Sequence, residues 1–393
     1  MKKALKNVVV VAYGRSAVGK SGKKGALRNS HPVEYGGLVL KGVLERCPKL
    51  DPAMLEDVII GCAIQEGPQG FNMARMVASR AGIPHSVPAV TVNRFCCSGL
   101  QTMALAAAEI EAGLADCIVA GGVESMSAIP MSNMLDHEDL IDDWILKNDP
   151  EQYISMGLTA ENVAAKYGIT REEMEQMAVD SHRKAAEAQE AGRLSPAIIP
   201  IPGVDIEGNP IIFDKDQGIR KGTTMESLAQ LKPCFKEDGV VTAAISSQTS
   251  DGAGFAILMA EDKAKELGIT PIARFLGYAV AGCEPELMGM GPAYAVPKVM
   301  ELTGLTVDDM DVIEINEAFA SQAIACIREL KMDYSKVNPN GGAIALGHPL
   351  GATGGVLTSK ALDELERIDG KYALITMCVG GGMGAAGVFE RIK

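Results

Sequence analysis

Short runs of apolar, mostly β-branched residues recur along the chain at 8–11, 58–60, 89–92, 117–120, 256–259, 312–315, 373–377 and 386–389. Runs of this length predict strands. Between them apolar positions return every three or four residues, which predicts helices over 36–46, 72–81, 99–112, 171–191, 293–302, 318–330 and 355–366. Strands alternating with helices predict an α/β fold with buried mixed sheets.

The pattern also repeats. The stretch 50–60 resembles 305–314 with one residue gapped, and each follows an apolar helix and enters a strand. Val92-Asn93 and Val337-Asn338 each open a Gly-containing turn, a helix and a strand. Those strands end in Gly121-Gly122 and Gly380-Gly381-Gly382. Two matches in the same order point to an internal duplication, although any two strand–helix–strand units share such features.

Between the halves, from 123 to 247, the character changes. Charge, proline and polar turns rise, as in Asp136-His137-Glu138-Asp139 and Ile199-Pro200-Ile201-Pro202-Gly203. One amphipathic helix stands out, with Met174, Met177, Ala178 and Ser181 on one face. This reads as a large insertion covering one face of the core, and such insertions shape ligand sites.

Charge removes one class of partner. With 37 Lys and Arg against 50 Asp and Glu, the net charge is −13, which excludes nucleic acid as the main partner. An anionic small molecule held by a few local Lys and Arg is still allowed. No apolar run approaches the ~18 residues of a membrane span. The apolar stretch 8–12 is too short for a signal-peptide core and reads as a strand. Arg391-Ile392-Lys393 is not a peroxisomal tripeptide. The nine cysteines are odd in number and mostly in apolar segments, such as Cys62, Cys117 and Cys326. They predict a reducing, cytoplasmic setting, and no Cys/His spacing suggests zinc or another metal. Glycine, at 43 of 393 residues, is about 11% against a usual ~7%. Aromatics are only 4%, which argues for close backbone approach and against a stacking platform.

Four segments could carry chemistry. In Asn93-Arg94-Phe95-Cys96-Cys97-Ser98-Gly99 a strand ends, the chain turns, and an apolar helix begins. A thiol at a helix N-terminus is pushed toward thiolate, so Cys96 or Cys97 is a candidate nucleophile; the alternative is a small buried thiol. In the small-residue run 340–355, His348 is the one histidine of five placed like a general base. His31, His137 and His182 lie in polar stretches expected to be exposed, and His85 in a Pro-flanked turn. Cys378 enters the cluster Gly380 to Gly384, whose N–H groups can form an oxyanion nest. Asn316 closes a strand before a helix, where it can hold water or cap the helix.

These strings, with Gly121-Gly122-Val123-Glu124-Ser125-Met126-Ser127 and Met156-Gly157-Leu158-Thr159-Ala160-Glu161-Asn162, resemble the thiolase family along essentially the whole chain. The resemblance implies two βαβαβαββ halves in a layered αβαβα core with an inserted loop domain. The halves would be 1–122 plus 248–271 and 272–393, with a CoA-binding loop domain at 123–247. It implies that Cys96 is the acylated nucleophile, His348 its base and Cys378 the second acid/base. Asn316 would hold a water that joins His348 in one oxyanion hole, and the N–H groups of Cys96 and Gly380 would make the other. Arg220 and Ser247 match positions contacting coenzyme A, and Met156, Phe235, Ala243 and Phe319 match pocket-lining positions. Lys221 and Lys20, Lys23 and Lys24 could add to a local cationic patch. Coenzyme A is then a substrate and no cofactor is expected.

The implied activity is thiolytic cleavage of 3-ketoacyl-CoA in fatty-acid β-oxidation, by a homodimer or homotetramer that could associate with other β-oxidation enzymes. An adjacent imidazole is expected to lower the nucleophile's pKa. Two departures stand out. Cys97 occupies a place usually held by Gly or Ser, and Ser155 stands where short-chain biosynthetic members often have His. The compact stretch 127–156 also resembles degradative members. The alternatives are a biosynthetic acetoacetyl-CoA thiolase and a non-catalytic acyl-CoA or lipid carrier of the same fold. A decarboxylating ketoacyl synthase would need a second well-placed histidine.

Overall fold

The computed structural model describes residues 5–130 and 140–393, so His137 and the acidic stretch around it lie outside the described residues. The strands are β1 (Val8–Arg15), β2 (Gly19–Lys20), β3 (Asp57–Gly61), β4 (Val90–Val92), β5 (Cys117–Ser125), β6 (Ile201–Val204), β7 (Pro210–Phe213), β8 (Ser250–Ala260), β9 (Ala273–Gly282), β10 (Val312–Ile315), β11 (Tyr372–Val379) and β12 (Met383–Arg391). The helices are α1 (Pro32–Glu45), α2 (Met73–Arg80), α3 (Ser98–Glu111), α4 (Asp143–Asn148), α5 (Met156–Tyr167), α6 (Arg171–Glu190), α7 (Met225–Ala229), α8 (Glu261–Glu266), α9 (Gly291–Thr303), α10 (Ala320–Glu329), α11 (Ala343–Leu346) and α12 (Thr353–Arg367).

The duplication is visible in the strand order. The first half runs β4-β3-β5-β8-β1, and the second runs β10-β11-β12-β9. Val337, in a parallel bridge with Ile313, takes the place that β4 holds in the first half. In each half a parallel pair is followed by antiparallel neighbours. A short pairing of Val9 with Arg274 and Val10 with Ala273 joins the halves edge to edge.

Side chains alternate between the faces, as strand geometry requires. In β3, Val58 and Ile60 pack outward with α1 and α2, while Ile59 packs inward with α3. In β11, Leu374 points to the outer cluster of α9 and α10, and Ile375 to the central one. Leu100, Met103 and Ile110 of α3 share that centre with Leu357, Leu362 and Leu365 of α12. The result is helix, sheet, helix, sheet, helix.

The centre explains much of the glycine excess. A Cβ on Gly99 would lie 2.7 Å from Gly351 O, and one on Gly354 2.1 Å from Leu100 N. On Gly355 it would lie 2.2 Å from Gly254 O, and on Gly122 2.0 Å from Gly351 O. These glycines let α3, α12 and the inner strands meet backbone to backbone.

The insertion is tied to the core by a buried ion pair. Arg15 donates to both carboxylate oxygens of Asp216, at 2.7 and 2.9 Å. The amphipathic helix forms as α6, with a capping box at Thr170 and Glu173 and with Met174, Met177, Ala178 and Ser181 buried. His182 is buried too, against the expectation of exposure, because it sits on that same inner face. Strand β9 and helix α5 carry no expectation from the sequence. β9 is half exposed and interrupted by Gly277, and α5 runs between a Ser155 cap and the left-handed Gly168.

Candidate active site

Cys96 lies in a single 3-10 turn, Phe95–Cys97, between β4 and α3. Phe95 takes a left-handed φ of +41°, an unfavourable region for a side chain of this size. Local hydrogen bonds hold it there. The Phe95 N–H donates to Asn93 Oδ1 at 2.8 Å, and Asn93 Nδ2 donates to Ala63 O at 2.9 Å. Ser98 Oγ accepts from the Arg94 N–H at 2.9 Å and donates to Phe95 O at 2.7 Å.

This turn packs against the turn 350–352 and against β11. Burial pushes the Cys96 thiol up to about 11, and the negative charge of Glu124 adds to the push. The N–H groups of Gly380 and of Cys96 itself hydrogen-bond the sulfur and oppose the rise. The expected depression of this pKa is thus overturned, because desolvation outweighs the helix end and the N–H donors.

Cys97 is fully buried and donates to Arg94 O at 3.3 Å, with Tyr278 OH 3.8 Å away. It packs as a small residue beneath the turn, and all nine cysteines are unpaired.

His348 is buried and is held at both ring nitrogens. Nε2 lies 3.3 Å from Asn316 Nδ2, and Nδ1 lies 2.6 Å from Thr353 Oγ1. An amide NH2 can only donate, so Nε2 accepts and the ring proton sits on Nδ1, donating to Thr353. Burial lowers the His348 pKa to about 4. The ring is therefore neutral at pH 7, with its Nε2 lone pair turned to the Asn316 amide. Asn316 is not a helix cap, since α10 begins at Ala320. Its Oδ1 is buried and makes no hydrogen bond among the described residues.

Cys378 is fully buried near the end of β11, paired with Gly384. Burial pushes its thiol far above the ordinary value, and the nearby Cys96 sulfur adds to that. Gly380 follows at an open spot, where a Cβ would lie 3.8 Å from both Met156 Sδ and the Phe95 ring. Cys96, Cys378 and Gly380 thus share one place, and the His348–Asn316 pair stands just ahead of the turn 350–352 that packs on the nucleophile turn.

The expected pocket residues form a second group beside it. Met156 opens α5, and a Cβ on its neighbour Gly157 would lie 2.0 Å from the Phe235 ring. Phe235 and Phe319 meet edge to face with centroids 5.9 Å apart. The segment 243–247 runs alongside: Ser246 bridges Phe319, and the Ser247 N–H donates to Ala318 O at 2.9 Å. Ala243 is exposed at its start. Arg220 is exposed and donates its N–H to His182 Nδ1 at 3.2 Å. Burial, then the charges of Arg220 and Lys20, lower His182 to about 4. Lys20 itself is lowered by burial and by Arg220 and Lys24, so these three cations are neighbours. Lys221 instead pairs with Glu190 at 2.5 Å.

Sequence reasoning gave no role to Thr353, Asn93 or Glu124, although all three stand inside the quoted motifs or beside them. Only the fold shows that Thr353 is on the His348 ring. Among the described residues no His, Cys, Asp and Glu cluster could hold a metal ion, and no helix is long and apolar enough to cross a membrane.

Comparison with known proteins places the chain in a family. Residues 8–262 match the family model for the thiolase N-terminal domain, and residues 269–391 match that for the thiolase C-terminal domain. A 3-ketoacyl-CoA thiolase of Bacillus subtilis is 46% identical, over 98% of this chain and 100% of the relative. An acetyl-CoA acetyltransferase of Allochromatium vinosum is 44% identical, over 98% of this chain and 99% of the relative. The crystal structure of the Bacillus anthracis acetyl-CoA acetyltransferase superposes with a TM-score of 0.90 at 41% identity, covering 99% of this chain and 100% of that one. The chain belongs to the thiolase family.

Proposed function

We propose that this chain cleaves 3-ketoacyl-CoA with CoA, giving acetyl-CoA and a shortened acyl-CoA through an acyl-cysteine. The observation that carries the reading is the meeting, around one thiol, of two N–H donors and a second buried thiol, with a neutral imidazole two residues ahead of the turn that packs on the nucleophile turn.

Cys96 is a protonated thiol at rest, so its proton moves to His348 Nε2 as the sulfur attacks the ketone carbon. The bond to the acetyl-CoA carbon then breaks. The departing enolate takes a proton from Cys378, and the acyl group stays on Cys96. In the second half the CoA thiol attacks this thioester. It returns a proton to Cys378, while His348 returns its own to Cys96. Charge that develops on oxygen is met by the N–H groups of Cys96 and Gly380 on one side and by the His348–Asn316 pair on the other. Coenzyme A is the second substrate, and no cofactor enters any step. Arg220, with Lys20 and Lys24, suits its phosphates. Met156, Phe235, Ala243, Ser247 and Phe319 suit its pantetheine arm.

The relatives named acetyl-CoA acetyltransferase favour a second reading, a biosynthetic enzyme restricted to acetoacetyl-CoA. Ser155 beside Met156 supports the broader chain length. We place the protein in the cytoplasm as a homodimer or homotetramer acting in fatty-acid β-oxidation, and nine unpaired thiols suit that reducing setting.

Intact-mass analysis after exposure to acetyl-CoA tests the reaction. We expect one acetyl adduct, absent in Cys96→Ala; an unshifted wild-type mass sinks the enzyme reading. Thiolysis rates across chain lengths separate the two enzymes, and turnover of acetoacetyl-CoA alone selects the biosynthetic one.

A further inference from the structure

We propose that Glu124 is a positioning residue for this reaction: one oxygen of its carboxylate sets the nucleophile turn in register with the loop of the base. The inference rests on the roles of Cys96 and His348 given above.

Glu124 lies at the end of β5 and is fully buried. Its Oε2 accepts the N–H of Ala63 at 2.7 Å and the N–H of Gly351 at 2.8 Å. Those two donors belong to the two machineries. Ala63 O holds Asn93 Nδ2, and Asn93 Oδ1 holds the Phe95 N–H beside Cys96. Gly351 stands between His348 and Thr353, the residue that fixes the His348 ring. A path of hydrogen bonds and short backbone links therefore runs from the nucleophile turn, through one oxygen atom, to the base loop.

The other oxygen anchors the carboxylate. Oε1 accepts from Gln69 Nε2 at 2.9 Å and from the Ile64 N–H at 3.3 Å, with Cys62 Sγ at 3.7 Å. All four nitrogen partners can only donate, so the ionised form is the one that fits them. Burial pushes this carboxyl up and the same donors pull it back. The charge also reaches Cys96, which has Cys97 and Cys378 among its further titratable neighbours and His348 as its proposed base.

Two substitutions separate positioning from mere stability. Glu124→Asp keeps the charge but withdraws Oε2 from both N–H groups. We expect kcat to fall about 100-fold, the scale of a misplaced reacting group, with KM for CoA nearly unchanged. Glu124→Gln keeps the length but removes the charge. The inflection for iodoacetamide alkylation of Cys96, followed on its own peptide, should then move to lower pH. A folded Glu124→Asp enzyme with wild-type kcat overturns the proposal, and so does an unmoved inflection in Glu124→Gln.

If neither variant folds, Asn93→Ala decides. Asn93 is exposed, so its truncation is tolerated, yet it severs the same path. We expect roughly tenfold lower kcat, and wild-type kcat overturns the proposal. Acetylation of the wild-type enzyme is run alongside. A missing wild-type adduct removes the thiolase reading itself, whereas a normal adduct with unimpaired variants removes only the role of Glu124.

Discussion

Asn316 Nδ2 and His348 Nε2 stand 3.3 Å apart in the buried centre of the site, a contact that fits the Nδ1–H tautomer of the histidine. It leaves Nδ1–H for Thr353 and keeps the base lone pair on the ring edge that meets Asn316. Thr353→Val removes the partner that fixes this arrangement. We expect kcat to fall by about 10- to 100-fold with KM nearly unchanged, as for other groups that orient a working histidine. Steady-state kinetics with acetoacetyl-CoA and CoA check it; a wild-type kcat would show that the tautomer needs no such support.

The resting thiol is the second point. Burial holds Cys96 near 11, so its alkylation by iodoacetamide should rise with pH past 9 without levelling. A cysteine–imidazolium ion pair would instead level off near neutrality. Peptide-resolved mass spectrometry distinguishes Cys96 from the exposed Cys234.

In the proposed reaction Cys378 supplies the proton for carbon but not the nucleophile. Cys378→Ser should therefore still take up an acetyl group on Cys96 while losing cleavage and condensation by about 100-fold or more. Turnover at the wild-type rate would remove Cys378 from the mechanism.

Acid should loosen the fold through two histidines. His348 and His182 are both buried with pKa near 4, against 6.5 when free. Between those values the unfolded chain binds the extra protons, so stability falls as pH drops from 6.5 towards 4. Each contributes on the order of 3 kcal/mol at full effect. Urea unfolding at pH 7, 5.5 and 4 measures the slope, and His182→Gln should reduce it. Equal slopes in the two proteins would contradict the His182 contribution.

Much of this was legible in the sequence, and the reasons differ by element. The strands with β-branched runs, such as 312–315, stand where the alternation predicts them. β9 was silent because its side chains are half wet and its run is cut by Gly277. The positions of Cys96, His348, Asn316 and Cys378 were legible as motifs at strand ends. Their protonation states were not, since a helix end is visible in a sequence and the desolvation of a thiol is not. Glu124 shows the same limit: its four nitrogen donors come from two distant segments, 63–69 and 351, and only folding brings them to it.

The central glycines raise a separate matter. A Cβ on Gly99 would sit 2.7 Å from Gly351 O, with backbone and not a flexible side chain as the obstacle. Gly99→Ala should cost at least about 1–3 kcal/mol, the range for overpacking, and lower the melting temperature accordingly. An unchanged melting temperature would mean that α3 and the turn 350–352 can part at little cost.

That bare contact also bears on how the repeat could diverge. Side chains at an interface can be exchanged in compensating pairs, but main chain pressed on main chain has no substitute to offer. In the proposed reaction the nucleophile comes from one copy and the base from the other, and the turns beside them pack together at this seam. The two copies were free to change their outer helices, their loops and their ligands. They were not free to change their distance from each other, and so neither can be inherited as a working unit without its twin.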